Sequence, residues 1–156
     1  MSESLKLLRF FYLLLALFTI GRWGLGLGGA EYEKTHQVFS IVILALVASA
    51  HHAAFARRFR GYGVVAAMGL GAAIGIISQL VILLSTALSY GLGLETFFNH
   101  PRALNVEGAI PFGQAMGARV GGLVVNTIIN AIAAAIGWLM GAVLPKLEQK
   151  DAAPAS

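Results

Sequence analysis

Hydrophobic residues run along this chain in long blocks, separated by short segments where charge and glycine collect. The clearest block lies between Arg60 and Glu95. From Gly61 to Leu94 it contains no Asp, Glu, Lys, Arg or His. At a rise of about 1.5 Å per residue, a helix through it is longer than the roughly 30 Å hydrocarbon core of a bilayer. Gly71, Gly75, Ser78, Ile82, Ser85 and Ser89 recur in it at alternating four- and three-residue steps, which places them on one helix face. Gln79 and Thr86 flank that face. Small and hydroxyl side chains let helices approach closely in lipid, where apolar burial supplies little drive, so the pattern predicts a packed helix bundle and not a lone anchor.

Three further blocks complete the pattern. A first span is expected from about Leu5 to Trp23, with bulky Phe and Leu positions suited to lipid. Lys6 and Arg9 ahead of the apolar run from Phe10 to Ile20 resemble the start of a signal peptide, but no small-x-small cleavage pattern follows, so a retained span is expected. Gly24, Gly26, Gly28 and Gly29 are expected to break that helix and open a polar loop to Thr35. A second span is expected from His36 to Phe55, closed by Arg57, Arg58 and Arg60. The third is the Gly61–Leu94 block, ending near Tyr90 where Gly91 and Gly93 follow. A long outer loop, Glu95 to Ala118, is expected to be partly helical, with starts at Asn99-His100-Pro101-Arg102 and at Pro111. The fourth span is expected from Arg119 to Leu144, stopped by Pro145. Arg119, Gly122, Asn126, Asn130, Ala133, Gly137 and Gly141 share one face of it, and Gly113, Gly117 and Gly121 form a second four-spaced row at its entrance. The expected fold is all-α: a four-helix transmembrane domain over residues 1–145 and a disordered polar tail over 146–156.

Composition sharpens this. Hydrophobic residues make up 58% of the chain and charged ones 12%, which places it with polytopic membrane proteins and not soluble domains. The net charge of +4 is small and lies beside the apolar blocks, so it reads as topology and headgroup contact, not nucleic-acid binding. Cysteine is absent, which excludes disulfides and thiolate-held metal centres. Lys6, Arg9, Arg57, Arg58, Arg60, Lys146 and Lys150 collect on one side of a four-span arrangement. Arg22, Lys34, Arg102 and Arg119 lie on the other, offset by Glu31, Glu33, Glu95 and Glu107. The positive-inside rule therefore puts both termini in the cytoplasm.

Candidate chemistry is sparse. Gln79, Asn126 and Asn130 are the amides nearest mid-bilayer, and Arg119 continues their face. They read either as interhelical hydrogen-bonding groups, worth on the order of 0.5–2 kcal/mol per bond, or as the lining of a substrate path. The first reading is preferred, with Asn126 or Asn130 the expected partner of Gln79 and the deeper Asn130 favoured of the two. Arg22 and Arg119 are expected to pair with outer glutamates or headgroups, with recognition of an anionic substrate or lipid as the alternative. His51 and His52 are candidate redox or proton residues. Neighbouring positions point about 100° apart on a helix, and the other spans contain no histidine, so one chain does not supply a bis-His haem site. His36 and His100 with the outer glutamates are a candidate mixed metal site, although their spacing matches no metal signature. The run Gly24-Leu25-Gly26-Leu27-Gly28-Gly29 lacks the Gly-Lys-Ser/Thr ending of a phosphate loop. No carboxylate lies inside a span, which argues against proton-coupled transport and hydrolysis there.

No motif ties the chain to a family. The reading is a non-catalytic integral membrane protein without a cofactor, acting by helix association as an accessory subunit or scaffold. Its expected partners are the lipid bilayer and a second copy or a membrane complex, and its Ala/Gly-rich composition suits a bacterial inner membrane. A small oligomeric channel or carrier lined by Gln79, Asn126 and Asn130 is the alternative, and a haem- or quinone-associated subunit is a weaker third. Reporter fusions at Arg60 and Asn99 should give signals from opposite sides of the membrane; matching signals would overturn the four-span topology.

Overall fold

The computed structural model describes residues 8–143, so Pro145 and the tail over 146–156 lie outside the described residues. The elements are α1 (Arg9–Leu27), a short α2 (Tyr32–Thr35), α3 (Ile41–Arg60), α4 (Val64–Gly91), a 3-10 helix (Pro101–Leu104) and α5 (Phe112–Met140). Among the described residues the secondary structure is all helical, and α1, α3, α4 and α5 are each long and apolar enough to cross a membrane.

Three spans begin or end elsewhere than the sequence pattern suggests. Helix α1 runs on through Gly24 and Gly26 to Leu27 instead of stopping at Trp23. The modest helix penalty of glycine yields to contact here. A Cβ on Gly26 would meet the Phe97 nitrogen at 2.7 Å and the Thr96 Cα at 2.8 Å, so the bare helix surface is what admits the later loop. Helix α3 begins at Ile41, not His36, because Ser40 caps it: its Oγ accepts from the Ile43 N–H at 3.5 Å. The same helix continues to Arg60, so Arg57, Arg58 and Arg60 occupy its last turn and face the negative end of its dipole. Gly61, at φ 66°, then reverses the chain, and the Tyr62 N–H reaches back to the Ala56 carbonyl at 3.2 Å. Helix α5 starts at Phe112 with Pro111 as its cap, so Pro111 opens the fourth span itself and not a separate short helix.

Helix α5 packs against α4 through Thr127, Asn130 and Ala134 and rests on α3 with its last turns. A Cβ on Gly71 would run into the Asn130 carbonyl oxygen and lie 2.5 Å from the Ala134 Cβ. At Gly75 it would lie 3.1 Å from both the Asn130 Cβ and the Thr127 Cα. Further along, Gly137 rests on the Ala50 backbone, and a Cβ on Gly141 would lie 2.6 Å from the Ala54 carbonyl oxygen. The α4 face from Gly71 to Ser89 is buried at every position. On α5 Ala115 and Ala134 are buried, whereas Ala133 is only partly so. A Cβ on Gly113, Gly117 or Gly121 would meet no neighbouring helix within 4 Å. Helix α1 lies at the edge: Phe11 and Leu15 are buried, whereas Phe10, Leu13, Leu17 and Ile20 are exposed.

At the end of the bundle that holds Arg60, a clasp joins α3 to α5. The Arg57 guanidinium lies 3.7 Å from the Trp138 ring centroid and donates to the Trp138 carbonyl at 2.9 Å. The indole Nε1 of Trp138 donates in turn to the Tyr62 carbonyl at 2.7 Å.

Overpacking a close contact costs about 1–3 kcal/mol. Gly75→Leu should therefore lower the thermal midpoint in detergent clearly, while Gly121→Leu should leave it nearly unchanged. Equal midpoints would mean that the α4–α5 approach is not tight.

Candidate functional site

The intramembrane amides are divided between two levels. Asn130 is buried, and its Oδ1 accepts from the Ser49 hydroxyl of α3 at 2.7 Å while its Nδ2 donates to the Asn126 carbonyl at 2.8 Å. The expected pairing of Asn130 with Gln79 is not formed. Asn130 lies level with Gly71 and Gly75, one to two turns deeper along α4 than Gln79. Gln79 instead neighbours the Gly122 and Asn126 level of α5: a Cβ on Gly122 would lie 3.7 Å from its Oε1. Asn126 donates to the Gly122 carbonyl at 2.8 Å. Ser49 was missed by sequence reasoning. Its signal was present in the small-residue row of the second span, Ala45, Ser49 and Ala53 at four-residue steps.

Towards the other end, Gln79, Asn126 and Arg119 line a cavity of ≈ 250 Å³ roofed by Leu104 and Asn105. The loop before the 3-10 helix is drawn into the bundle. Thr96, Phe97 and Phe98 are buried, and Thr96 Oγ1 lies 2.7 Å from the Ser89 hydroxyl. The Asn99 side chain fastens the turn, accepting from the Thr96 N–H at 2.8 Å and donating to the Leu94 carbonyl at 2.8 Å. Arg119 ties this loop to both long helices. Its Nε donates to the Thr86 hydroxyl at 3.0 Å, Nη1 to the Ala103 carbonyl at 3.1 Å and Nη2 to the Phe98 carbonyl at 2.5 Å.

Arg22 reaches the same region from α1. It donates to the His36 carbonyl at 3.1 Å, and its guanidinium lies between 5.6 and 5.9 Å from the ring centroids of Tyr32, Phe97 and Phe98. Trp23 beside it packs on Phe98 with centroids 5.8 Å apart. Arg22, Arg119, Tyr32, His36 and Ser40 line a second cavity of ≈ 170 Å³, which adjoins the first along Val42, Ile82, Ala103 and Arg119.

The expected pairing of Arg22 and Arg119 with outer glutamates is not formed either. Glu31 pairs with Lys34 at 2.6 Å and Glu33 with Arg102 at 2.9 Å, both at the exposed surface. Short-range geometry decides this: Lys34 lies one turn from Glu31, whereas the arginines lie within the bundle. His36 and His100 do come together, but as rings stacked on Tyr32, at 5.7 and 4.3 Å, and not as a ligand set. Among the described residues no three His, Asp or Glu side chains are placed to hold a metal ion.

His51 is exposed on α3, whereas His52 is buried and its Nδ1 lies 2.8 Å from the Ala48 carbonyl, where it donates. Their rings meet edge to face at 5.4 Å, so the pair diverges as the helical geometry requires.

No protein-family model matches this chain, and no curated protein or solved structure does.

The Ser49–Asn130 bond should couple in a double-mutant cycle. Ser49→Ala and Asn130→Ala should each destabilise the protein, and the double variant should fall short of their sum by about 0.5–2 kcal/mol. Full additivity in detergent unfolding would show that the two side chains act independently.

Proposed function

We propose that this chain is a small non-catalytic integral membrane protein that acts by helix association, as a subunit or scaffold of a membrane complex or as a homo-oligomer. The supporting observation is the use made of its deepest amide. Asn130 is engaged by Ser49 and by the Asn126 carbonyl, so it joins helices and is not presented to a solute. None of the four spanning helices contains Asp or Glu, the groups that proton-driven carriers place in the membrane. The small-residue faces of α4 and α5 are used within one chain, where α5 closes on α4 and on α3, so association with other chains uses other surfaces. We place both termini in the cytoplasm from the distribution of basic residues, and the protein in a bacterial inner membrane from its composition.

A second reading, a small channel or carrier, draws on one specific observation: Gln79 and Asn126 line a cavity together with Arg119. A path through that cavity meets the Ser49–Asn130 contact at its deep end and requires that contact to open.

Reconstitution separates the two. On the first reading, proteoliposomes should show no ion or solute flux above empty vesicles, and native mass spectrometry from mild detergent should show a stoichiometric oligomer or complex. Flux that Gln79→Leu or Asn126→Leu abolishes would replace the first reading with the second, whatever the oligomeric state.

A further inference from the structure

The geometry points to an anion site for a phosphate group between Arg22 of α1 and Arg119 of α5, completed by Tyr32 and Ser40. Both guanidiniums line the ≈ 170 Å³ cavity, and every contact either makes is with a neutral group. Arg119 is held by the Thr86 hydroxyl and by the Ala103 and Phe98 carbonyls. Arg22 is held by the His36 carbonyl and by aromatic faces. Among the described residues no carboxylate pairs with either. Glu31 and Glu33 are taken by Lys34 and Arg102, and Glu95 and Glu107 are exposed and border other depressions. Two like charges thus share a confined space without a counter-charge, and desolvated charge left uncompensated is costly. An anion bound between them offsets both.

The donors that remain select the anion. A guanidinium has five N–H groups, and Arg119 uses three, which leaves two to point at a ligand. Arg22 adds its own fork, and two forks suit a tetrahedral oxyanion whose several oxygens each accept. A phosphate monoester carries about −1.5 to −2 charges, which matches two arginines, whereas a carboxylate neutralises only one. The Ser40 hydroxyl accepts from the Ile43 N–H and so keeps its own proton for a ligand oxygen. The cavity is several times the roughly 30 Å³ that one water occupies in the liquid, enough for a phosphate group. The adjoining cavity, bordered by Val42, Ile82 and Leu104, gives room for what the phosphate is attached to. The shared chemistry is therefore a phosphate group, supplied either as free phosphate or as the headgroup of a phosphomonoester lipid. The site stands whether the bundle serves as a scaffold or as a carrier.

The test uses the full chain, delipidated in an uncharged detergent. Sodium phosphate, compared with sodium chloride at matched ionic strength, and phosphatidic acid in mixed micelles, compared with phosphatidylcholine, are titrated against the thermal midpoint. A saturable rise with either probe, weakened at least tenfold in Arg22→Gln and unaltered in Arg58→Gln, supports the site. Response to inorganic phosphate identifies the free anion as sufficient, and response to phosphatidic acid alone identifies the lipid headgroup. Arg119 also holds the loop, so if Arg119→Gln does not fold, Arg22→Gln alone decides. No saturable response from folded wild-type protein to either probe, or equal affinity in Arg22→Gln, overturns the proposal.

Discussion

Everything in this bundle depends on how closely α5 can lie against its two neighbours. Lipid gives apolar side chains little reason to prefer another helix, so the contact has to come from surface fit and from polar groups that need partners. Gly71 and Gly75 remove the side chains that would hold α5 away from α4, and Gly137 and Gly141 do the same for α5 against α3. Only at that separation can the Ser49 hydroxyl reach Asn130 across the interface. The hydrogen bond is in this sense a product of the glycines. Its polar atoms are affordable inside the membrane because the backbones have already come together.

The Arg119 end is built on the opposite logic. There the chain brings charge and loop backbone inward and satisfies them with one another. Phe98, which carries no polar side chain, offers its carbonyl to Arg119 and its ring to Arg22 and Trp23. The loop is thereby made part of the helix bundle: Gly26 of α1 receives its backbone, and Ser89 and Thr86 of α4 bond to it. One side of the bundle is closed by small side chains, and the Arg119 end is polar and hollow.

The sequence pattern located the helices because charge-free runs and small-residue periodicity are properties of single helices. The α4 face from Gly71 to Ser89 was readable for that reason, down to the flanking Gln79 and Thr86. Helix ends were less legible, because they answer to neighbours: Gly26 stays helical on account of a loop distant in sequence, and Ser40 caps a helix that hydropathy alone would start earlier. The partners of polar groups were the least legible. Pairing Gln79 with Asn130 requires equal depth, and depth is set by the stagger of α5 on α4, which one-dimensional spacing does not contain. Arg22 and Arg119 were each visible as cations at span ends, but their convergence on one cavity depends on how α1 lies against the loop.

The clasp at the Arg57 end has a practical side. The chain contains two tryptophans, and the fold assigns one to each end: Trp138 under the Arg57 guanidinium and Trp23 against Phe98. Indole emission responds to a cation held over its ring and to nearby aromatic faces, so the two residues emit from different surroundings. Replacing either by phenylalanine leaves a single indole. One such protein then gives an optical signal for the docking of α5 on α3, and the other for the seating of the loop beside Arg22. The opposite ends of one small bundle can in this way be followed separately without attaching a dye.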